Sequence, residues 1–198
     1  YLFGFAFMNL FHGALADSFG RRPVVLSGVG MFTLASIGCA LAPNVHALIA
    51  LRFLQGLGGC AGLIIARSII RDLHSGAMAA RLMATMFLVM GVSPIFAPLL
   101  GSILLQHIGW RGLFVAIALM GALAAVLASV LLPETQPLAH RAAARAVSWR
   151  ADFARLLGNR RFMKLAFATS GATCCTLLFA TAAPFVFARH YGLSPGTF

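Results

Sequence analysis

The stretch GALADSFGRRP, residues 13–23, places one aspartate and two arginines between two long apolar runs. Charge is scarce elsewhere, since 10% of the residues are charged and 61% are hydrophobic, with a mean hydropathy of +0.93. Soluble domains carry about 25% charged residues. The composition therefore predicts a membrane protein, in which this stretch is a turn between two membrane helices.

Six apolar segments follow one another along the chain, and a helix needs about 20 apolar residues to cross the hydrocarbon core of a bilayer. Five of the segments are long enough, and the first is short. We therefore predict an all-α integral membrane protein with six visible membrane helices, at approximately residues 1–15, 24–42, 46–66, 82–105, 112–132 and 162–187.

Basic residues set the orientation of these helices, because Lys and Arg in short loops favour the cytoplasmic side. A net charge of +11 would suggest nucleic acid in a soluble protein. Here the charges lie in the gaps between apolar segments, so we predict a lipid bilayer and no nucleic acid as partner. Three alternate loops are assigned to the cytoplasm by twelve basic residues: Arg21, Arg22, Arg67, Arg71, Arg81, Arg141, Arg145, Arg150, Arg155, Arg160, Arg161 and Lys164.

The third of these loops, residues 133–161, is the one plausible linker. It begins with LPETQP and continues as a basic, alanine-rich stretch. Such a composition favours a short amphipathic helix lying on anionic lipid.

Cysteine and histidine indicate no cofactor and no metal. The four cysteines fall inside apolar segments without a metal-ligand spacing, which is typical of small buried side chains. The six histidines are scattered near the ends of the spans, which favours interfacial positions. Motifs such as HExxH, a P-loop or GxSxG are missing from the chain, so the sequence does not predict an enzyme.

Within the opening stretch, each special residue has a local explanation. Gly13 removes a side chain where two helices can approach, and Asp17 follows one turn later at the membrane surface. Gly20 lets the chain turn, and Pro23 can open the next helix, where its missing N–H costs nothing. A solvated turn with positive-inside arginines would also account for the pattern.

A second group of polar residues lies in the third segment. Arg52 is about seven residues inside its span, or roughly 10 Å at 1.5 Å per residue, where a charge costs about 2.5–3.5 kcal/mol. It shares a helix face with Gln55, Gly56 and Gly59. This face is predicted to contact protein or water, and snorkelling of Arg52 to the outer interface is the alternative.

The fourth segment contains GVSPIFAPLLGS, with two prolines inside a span. Missing backbone hydrogen bonds at these prolines predict a bent helix, and small residues at steps of four predict one smooth face. Packing of small residues between membrane helices is the alternative explanation. The residues concerned are Ser93, Pro94, Ala97, Pro98 and Gly101.

These motifs carry a family resemblance. The pattern G-x-L-x-D-x-x-G-R-R resembles the loop between the second and third helices of the major facilitator superfamily, and it matches at Gly13, Asp17, Gly20, Arg21 and Arg22. The resemblance implies that this signature loop latches the two halves of a transporter at the cytoplasmic face. It also implies that an arginine pairs with an acid near the fourth helix, for which Asp72 is the obvious candidate. Reversing both charges of that pair should restore what either reversal alone destroys.

Two more motifs fit the same family. LRFLQGLGG is similar to its fourth-helix pattern R-x-x-Q-G-x-G, which implies a role for Arg52 in proton transfer or cavity electrostatics. APLLGS is similar to its fifth-helix antiporter pattern, although Ala97 and Ser102 replace glycines. Together with ARSIIRDL, GWRGLF and LPET, these motifs resemble the bicyclomycin-resistance (Bcr/CflA) branch of the drug:proton antiporters.

The resemblance implies a domain organisation. Residues 1–132 correspond to helices two to six of the N-terminal bundle, residues 133–161 to the cytoplasmic linker, and residues 162–198 to helix seven, the first of the C-terminal bundle. The visible chain would then be part of a twelve-helix, monomeric transporter of the bacterial inner membrane. On its own it should not alternate access.

The implied function is export of a drug or small amphiphilic metabolite by proton antiport. Coupling is the less supported step, because the four acids, Asp17, Asp72, Glu134 and Asp152, all fall in or beside cytoplasmic loops. A proton-binding carboxylate in the membrane would have to lie outside this chain. A symporter or facilitator for a small metabolite, and a non-transporting scaffold or inactive truncated product, are the alternatives.

Overall fold

A computed structural model describes residues 1–146 and 149–190, apart from the side chains of Ile95 and of some residues between 139 and 190. The described secondary structure is α-helical, in two compact units, Tyr1–Ala146 and Val147–Phe198. Its helices are α1 (Leu2–Asn9), α2 (His12–Phe19), α3 (Arg21–Leu41), α4 (Val45–Gly59), α5 (Ala61–Leu73), α6 (Gly76–Leu131), α7 (Leu138–Ala146), α8 (Trp149–Gly158) and α9 (Arg160–His190).

The all-α membrane fold is confirmed, and the number of spans is not. Four stretches of the described residues are long and apolar enough to cross a membrane: Arg21–Leu41, Val45–Leu73, Gly76–Pro94 and Phe96–Leu131. Many large apolar side chains are exposed in the first unit, as a surface facing lipid requires. The count of six spans stays a prediction.

The first predicted span is divided between α1 and α2, which have eight residues each. At the junction, the N–H groups of Leu10 and Phe11 donate to the carbonyls of Phe7 and Met8, three residues back. This tighter spacing ends α1, and α2 begins one residue later at His12. His12 itself is only 2% exposed, so it packs inside the first unit.

The third predicted span is divided in the same way, between α4 and α5 at Cys60. Cys60 Sγ lies 3.1 Å from His12 Nδ1, so the two helix junctions face each other. Close approach is needed here, since a Cβ on Gly58 would meet the carbonyl oxygen of Gly28 and the backbone of Phe32. The glycines thus allow α3 to pack directly on the α4–α5 junction.

Helix α6 contains the two segments predicted at 82–105 and 112–132. Its helical geometry is interrupted at Gly109, where φ is 66° and ψ is 179°. Only glycine adopts this conformation readily. The backbone of Pro94 and Pro98 remains helical, so the break between the two segments comes from the glycine.

Helix α3 is the centre of the first unit, packing on α4, α5 and α6. At one end of the unit lies the turn between α3 and α4, where Arg111 Nη2 donates to the carbonyl oxygen of Ala42 at 3.4 Å. At the opposite end lie the start of α3 and the end of α5. A buried cluster of Ala16, Val24, Val25, Ala61 and Ile65 packs beside this second end.

The predicted linker contains two helices, α7 and α8. Helix α7 packs against α2 within the first unit. In the second unit, α8 contacts α9, and Asn159 Oδ1 caps α9 by accepting from the backbone N–H groups of Arg161 and Phe162 at 3.1 and 3.2 Å.

Candidate functional site: an ion-pair cluster and a half-buried arginine

Arg21, the first residue of α3, is the centre of an ion-pair cluster. Its Nη1 lies 2.5 Å from Asp17 Oδ1, and its Nε donates to Asp72 Oδ2 at 3.1 Å. Arg21 is 7% exposed, whereas the Asp17 side chain is 46% exposed. The contact predicted between Arg21 and Asp72 is therefore present, and Asp17 keeps a solvent-facing side.

Glu134, which follows the C-terminal end of α6, completes this cluster. Its Oε1 accepts the backbone N–H of Arg21 at 3.0 Å, and its Oε2 lies 3.2 Å from Arg141 Nη2. The N-cap of α3 is Gly20, which has no side chain to offer. Glu134 thus supplies the partner that the first N–H of α3 would otherwise lack.

Gly20 is required by the same arrangement. Its φ of 110° lies in the region that side chains disfavour, and a Cβ there would be 2.5 Å from Glu134 Oε2 and 2.9 Å from Arg141 Cζ. Gly20 therefore makes the predicted turn and also leaves the space that Glu134 and Arg141 occupy.

Thr135 and Gln136, the two residues after Glu134, add hydrogen bonds to the cluster. Thr135 Oγ1 donates to Asp72 Oδ2 at 3.2 Å, and Gln136 Nε2 donates to the carbonyl oxygen of Asp17 at 3.4 Å. From the sequence, LPETQP marks the start of the linker and LPET contributes to the family resemblance, but neither predicts the contact of Glu134 with Arg21. The scarcity of acids was the available signal, since three of the four Asp and Glu residues converge on Arg21.

The other residues of the signature loop differ in their contacts. Arg22 Nη2 donates to the carbonyl oxygen of Ser129 at 2.6 Å, in the last turn of α6, where cations are favoured by the helix dipole. Gly13 was predicted to allow close helix approach, but nothing in the described part of the chain lies within 4 Å of the position of its Cβ. That explanation of Gly13 is wrong for the first unit.

Arg52 contacts Gln55 of its own helix and two aromatic rings from other parts of the first unit. Its Nη1 donates to Gln55 Oε1 at 2.7 Å, and its Cζ lies 4.9 Å from the ring centroid of Tyr1 and 5.5 Å from that of Phe114. Gln55 Nε2 in turn donates to Ser36 Oγ at 2.7 Å. A cation over an aromatic face is stabilised by the quadrupole of the ring.

Gln55 does not line an open cavity, because it is only 1% exposed. Gly56 allows the backbone of α1 to approach, since a Cβ there would clash with the carbonyl group of Tyr1. A Cβ on Gly59 would lie 2.8 Å from the Tyr1 hydroxyl oxygen. The predicted polar face is thus packed against α1 and α3.

The proline-containing segment is not brought to Arg52. Ser93, Pro94, Ala97 and Pro98 are exposed, and Gly101 is half-buried. Ser93 Oγ donates to the carbonyl oxygen of Val89 at 2.7 Å, within its own helix. The first half of α6 meets α5 elsewhere, where Arg67 Cζ lies 5.3 Å from the ring centroid of Phe87.

A cavity of about 400 Å³ lies between α1, α2 and α3. Its lining is mostly apolar and includes Met8, His12 and Met31 but not Arg52. Among the described residues, no group of three or more His, Cys, Asp or Glu side chains could hold a metal ion.

Comparison with known proteins finds one family and several relatives. A family model described as Major Facilitator Superfamily matches residues 1–198. The uncharacterized MFS-type transporter YdgK of Bacillus subtilis is 32% identical over 199 residues, which cover 100% of this chain and 50% of that protein.

Two relatives that are named for drug resistance have the same sequence identity to this chain. The bicyclomycin resistance protein homolog of Haemophilus influenzae is 32% identical over 98% of this chain and 48% of its own length. The multidrug resistance protein MdtL of Escherichia coli K12 is 32% identical over 100% of this chain and 50% of its own length. The chain spans about half the length of these curated relatives.

Proposed function

Because the chain belongs to the Major Facilitator Superfamily along its whole length, we propose that it forms part of a secondary active transporter that exports drugs or small amphiphilic metabolites. The proposed cycle is proton antiport with alternating access, in the inner membrane of a bacterium. The names of two relatives, for bicyclomycin and multidrug resistance, support this class of substrate.

The observation that carries the proposal is the half-buried Arg52, which is bonded to Gln55 within a predicted membrane span. A guanidinium at membrane depth costs about 2.5–3.5 kcal/mol, and here it is held by Gln55 and two aromatic rings. A structural scaffold would have no use for such a cation. We propose that the positive charge of Arg52 acts on a proton-binding carboxylate in one phase of the cycle and on the substrate in the other.

The cluster around Arg21 supports the conformational part of the proposal. It fixes the ends of α2, α3 and α5 and the segment after α6 to one another. The exposed side of Asp17 remains available to a helix end of the other half. We propose that this contact closes the cytoplasmic face in one state and breaks in the other.

The test is a proton-flux assay on the full-length transporter that carries this chain, in inverted membrane vesicles with an acidified lumen. A drug added outside should enter the vesicles while protons leave, so a fluorescent pH indicator should report a rise in lumenal pH. Arg52→Gln should abolish that rise, and Ser27→Ala, which removes a hydroxyl bonded only within its own helix, should leave it unchanged.

Three results would count against the proposal. A further fall of lumenal pH would indicate symport, and drug entry without any pH change would indicate a facilitator. Absence of drug entry with correctly inserted protein would indicate a non-transporting membrane protein.

A further inference from the structure

We propose that Ser36 is a positioning residue, which acts through Gln55 to set the direction in which Arg52 donates its hydrogen bond. This inference rests on the proposed function only for its effect on transport. The effect on the geometry of Arg52 is independent of it.

The argument begins at the backbone of α3. Ser36 Oγ donates to the carbonyl oxygen of Phe32 at 2.7 Å, so its single proton is already used. Towards Gln55 the hydroxyl can therefore only accept. The backbone of α3 thus determines what the hydroxyl offers to α4.

The second step fixes the side-chain amide. Because Ser36 Oγ accepts, Gln55 must turn its NH₂ group towards α3, as the 2.7 Å contact from Nε2 shows. Its carbonyl oxygen then points to Arg52, where Oε1 accepts from Nη1 at 2.7 Å. The reverse amide orientation would place two donors face to face at Arg52.

Burial of Ser36 and Gln55 restricts the Gln55 amide to this orientation. Ser36 is 0% exposed and Gln55 is 1% exposed, so water is not available to replace a lost partner. Two aromatic ring centroids lie within 5.5 Å of Arg52 Cζ, and among the described residues the side-chain hydrogen bond of the guanidinium is to Gln55, which therefore restrains its rotation in the plane. Removing the Ser36 hydroxyl should therefore free the amide and, through it, the guanidinium.

The experiment measures rotation of the Arg52 guanidinium by nitrogen-15 NMR of the full-length transporter that carries this chain, in lipid nanodiscs. The signal is assigned by its loss in Arg52→Lys. In the unsubstituted chain, restricted rotation should give separate signals for Nη1 and Nη2. In Ser36→Ala, rotation should accelerate by about tenfold, the factor that corresponds to one lost hydrogen bond of about 1.4 kcal/mol.

Two further variants make the result specific. Ser36→Thr keeps a hydroxyl and should retain the separate signals, whereas Ser36→Cys has nearly the volume of serine but a weak donor and acceptor and should behave like Ser36→Ala. Ser27→Ala is the matched control, because among the described residues the Ser27 hydroxyl bonds to the carbonyl oxygen of Val24 in the same helix and to no other helix. Unchanged Arg52 signals in both Ser36→Ala and Ser36→Cys would overturn the proposal.

The transport assay separates this inference from the proposed function. If Ser36→Ala releases Arg52 and shifts the pH profile of drug-dependent proton flux, both stand. If it releases Arg52 while flux and its pH profile stay unchanged, Ser36 positions Arg52 but the proposed role of Arg52 in coupling is wrong.

Discussion

Asp72 Oδ2 lies 3.1 Å from Arg21 Nε, although 51 residues separate the two in the chain. The pair joins the end of α5 to the start of α3. Arg21 is almost fully enclosed and the Asp72 side chain is 28% exposed, so solvent weakens the interaction only in part. Hydrogen bonds to charged groups in such settings contribute about 1.5–3 kcal/mol.

We therefore predict strong coupling between these two residues in the stability of the chain. Arg21→Gln and Asp72→Asn should each lower the free energy of unfolding, and the double variant should lose much less than the sum of the two. Unfolding by SDS in mixed micelles measures this difference. Additive losses would show that the two side chains do not stabilise the fold through each other.

The charge-reversed pair, which the sequence alone predicts to restore function, is expected from the structure to restore little. In Arg21→Asp with Asp72→Arg, the new carboxylate at position 21 would lie beside Asp17 and Glu134, which now bind the arginine. Adding Asp17→Asn to the reversed pair should improve recovery of drug export by the full-length transporter. Full recovery without that third change would mean that Asp17 does not contribute to the cluster.

Gly20 and Gly13 belong to the same sequence pattern but should differ in their tolerance of alanine. Gly20→Ala places a Cβ at a φ of 110° and against Glu134, at a cost of about 1–3 kcal/mol from backbone strain alone. Gly13→Ala meets nothing within 4 Å in the described structure and should be neutral or slightly stabilising. Equal losses of stability in the two variants would contradict this account of the cluster.

Glu134 is predicted to act in two separable ways, as an acceptor at the start of α3 and as a negative charge. Glu134→Ala removes both, and loss of a helix cap costs about 0.5–2 kcal/mol. Glu134→Gln keeps an oxygen for the Arg21 N–H and should lose only the charge, worth about 0.3–1 kcal/mol at a helix N-terminus. The same SDS titration compares them, and an equal loss would show that charge alone matters.

Hydropathy was sufficient for the class of the fold, because it is a local property, and the family resemblance of the signature loop indicated the pair of Arg21 with Asp72. Neither was sufficient for Glu134, whose contact with Arg21 spans 113 residues and depends on where α6 ends. The explanation of Gly13 failed for a similar reason. A glycine in a pattern does not tell which helix, if any, packs on it.

The polar residues around Arg52 were likewise predicted from the sequence only in part. Helical spacing was enough to place Arg52 and Gln55 on one side of α4. The contribution of Ser36 depends on the packing of α3 against α4, and a serine in an apolar helix ordinarily bonds only to its own backbone. Its second contact, to Gln55, becomes visible only when the two helices are brought together.

Gly56 provides the last prediction, on the contact between α1 and α4. A Cβ at Gly56 would clash with the carbonyl group of Tyr1, so Gly56→Ala should push the two helices apart and cost about 1–3 kcal/mol. Gly62→Ala, on α5, is the matched control because nothing lies within 4 Å of its Cβ position in the described structure. Since alanine favours helix over glycine by about 0.5–1 kcal/mol, a loss of stability in Gly56→Ala alone can be assigned to the clash.

The displaced Tyr1 ring should also uncover Arg52, so the Arg52 nitrogen-15 signals should shift in Gly56→Ala and not in Gly62→Ala. Unshifted signals together with unchanged stability would show that α1 does not pack on Gly56.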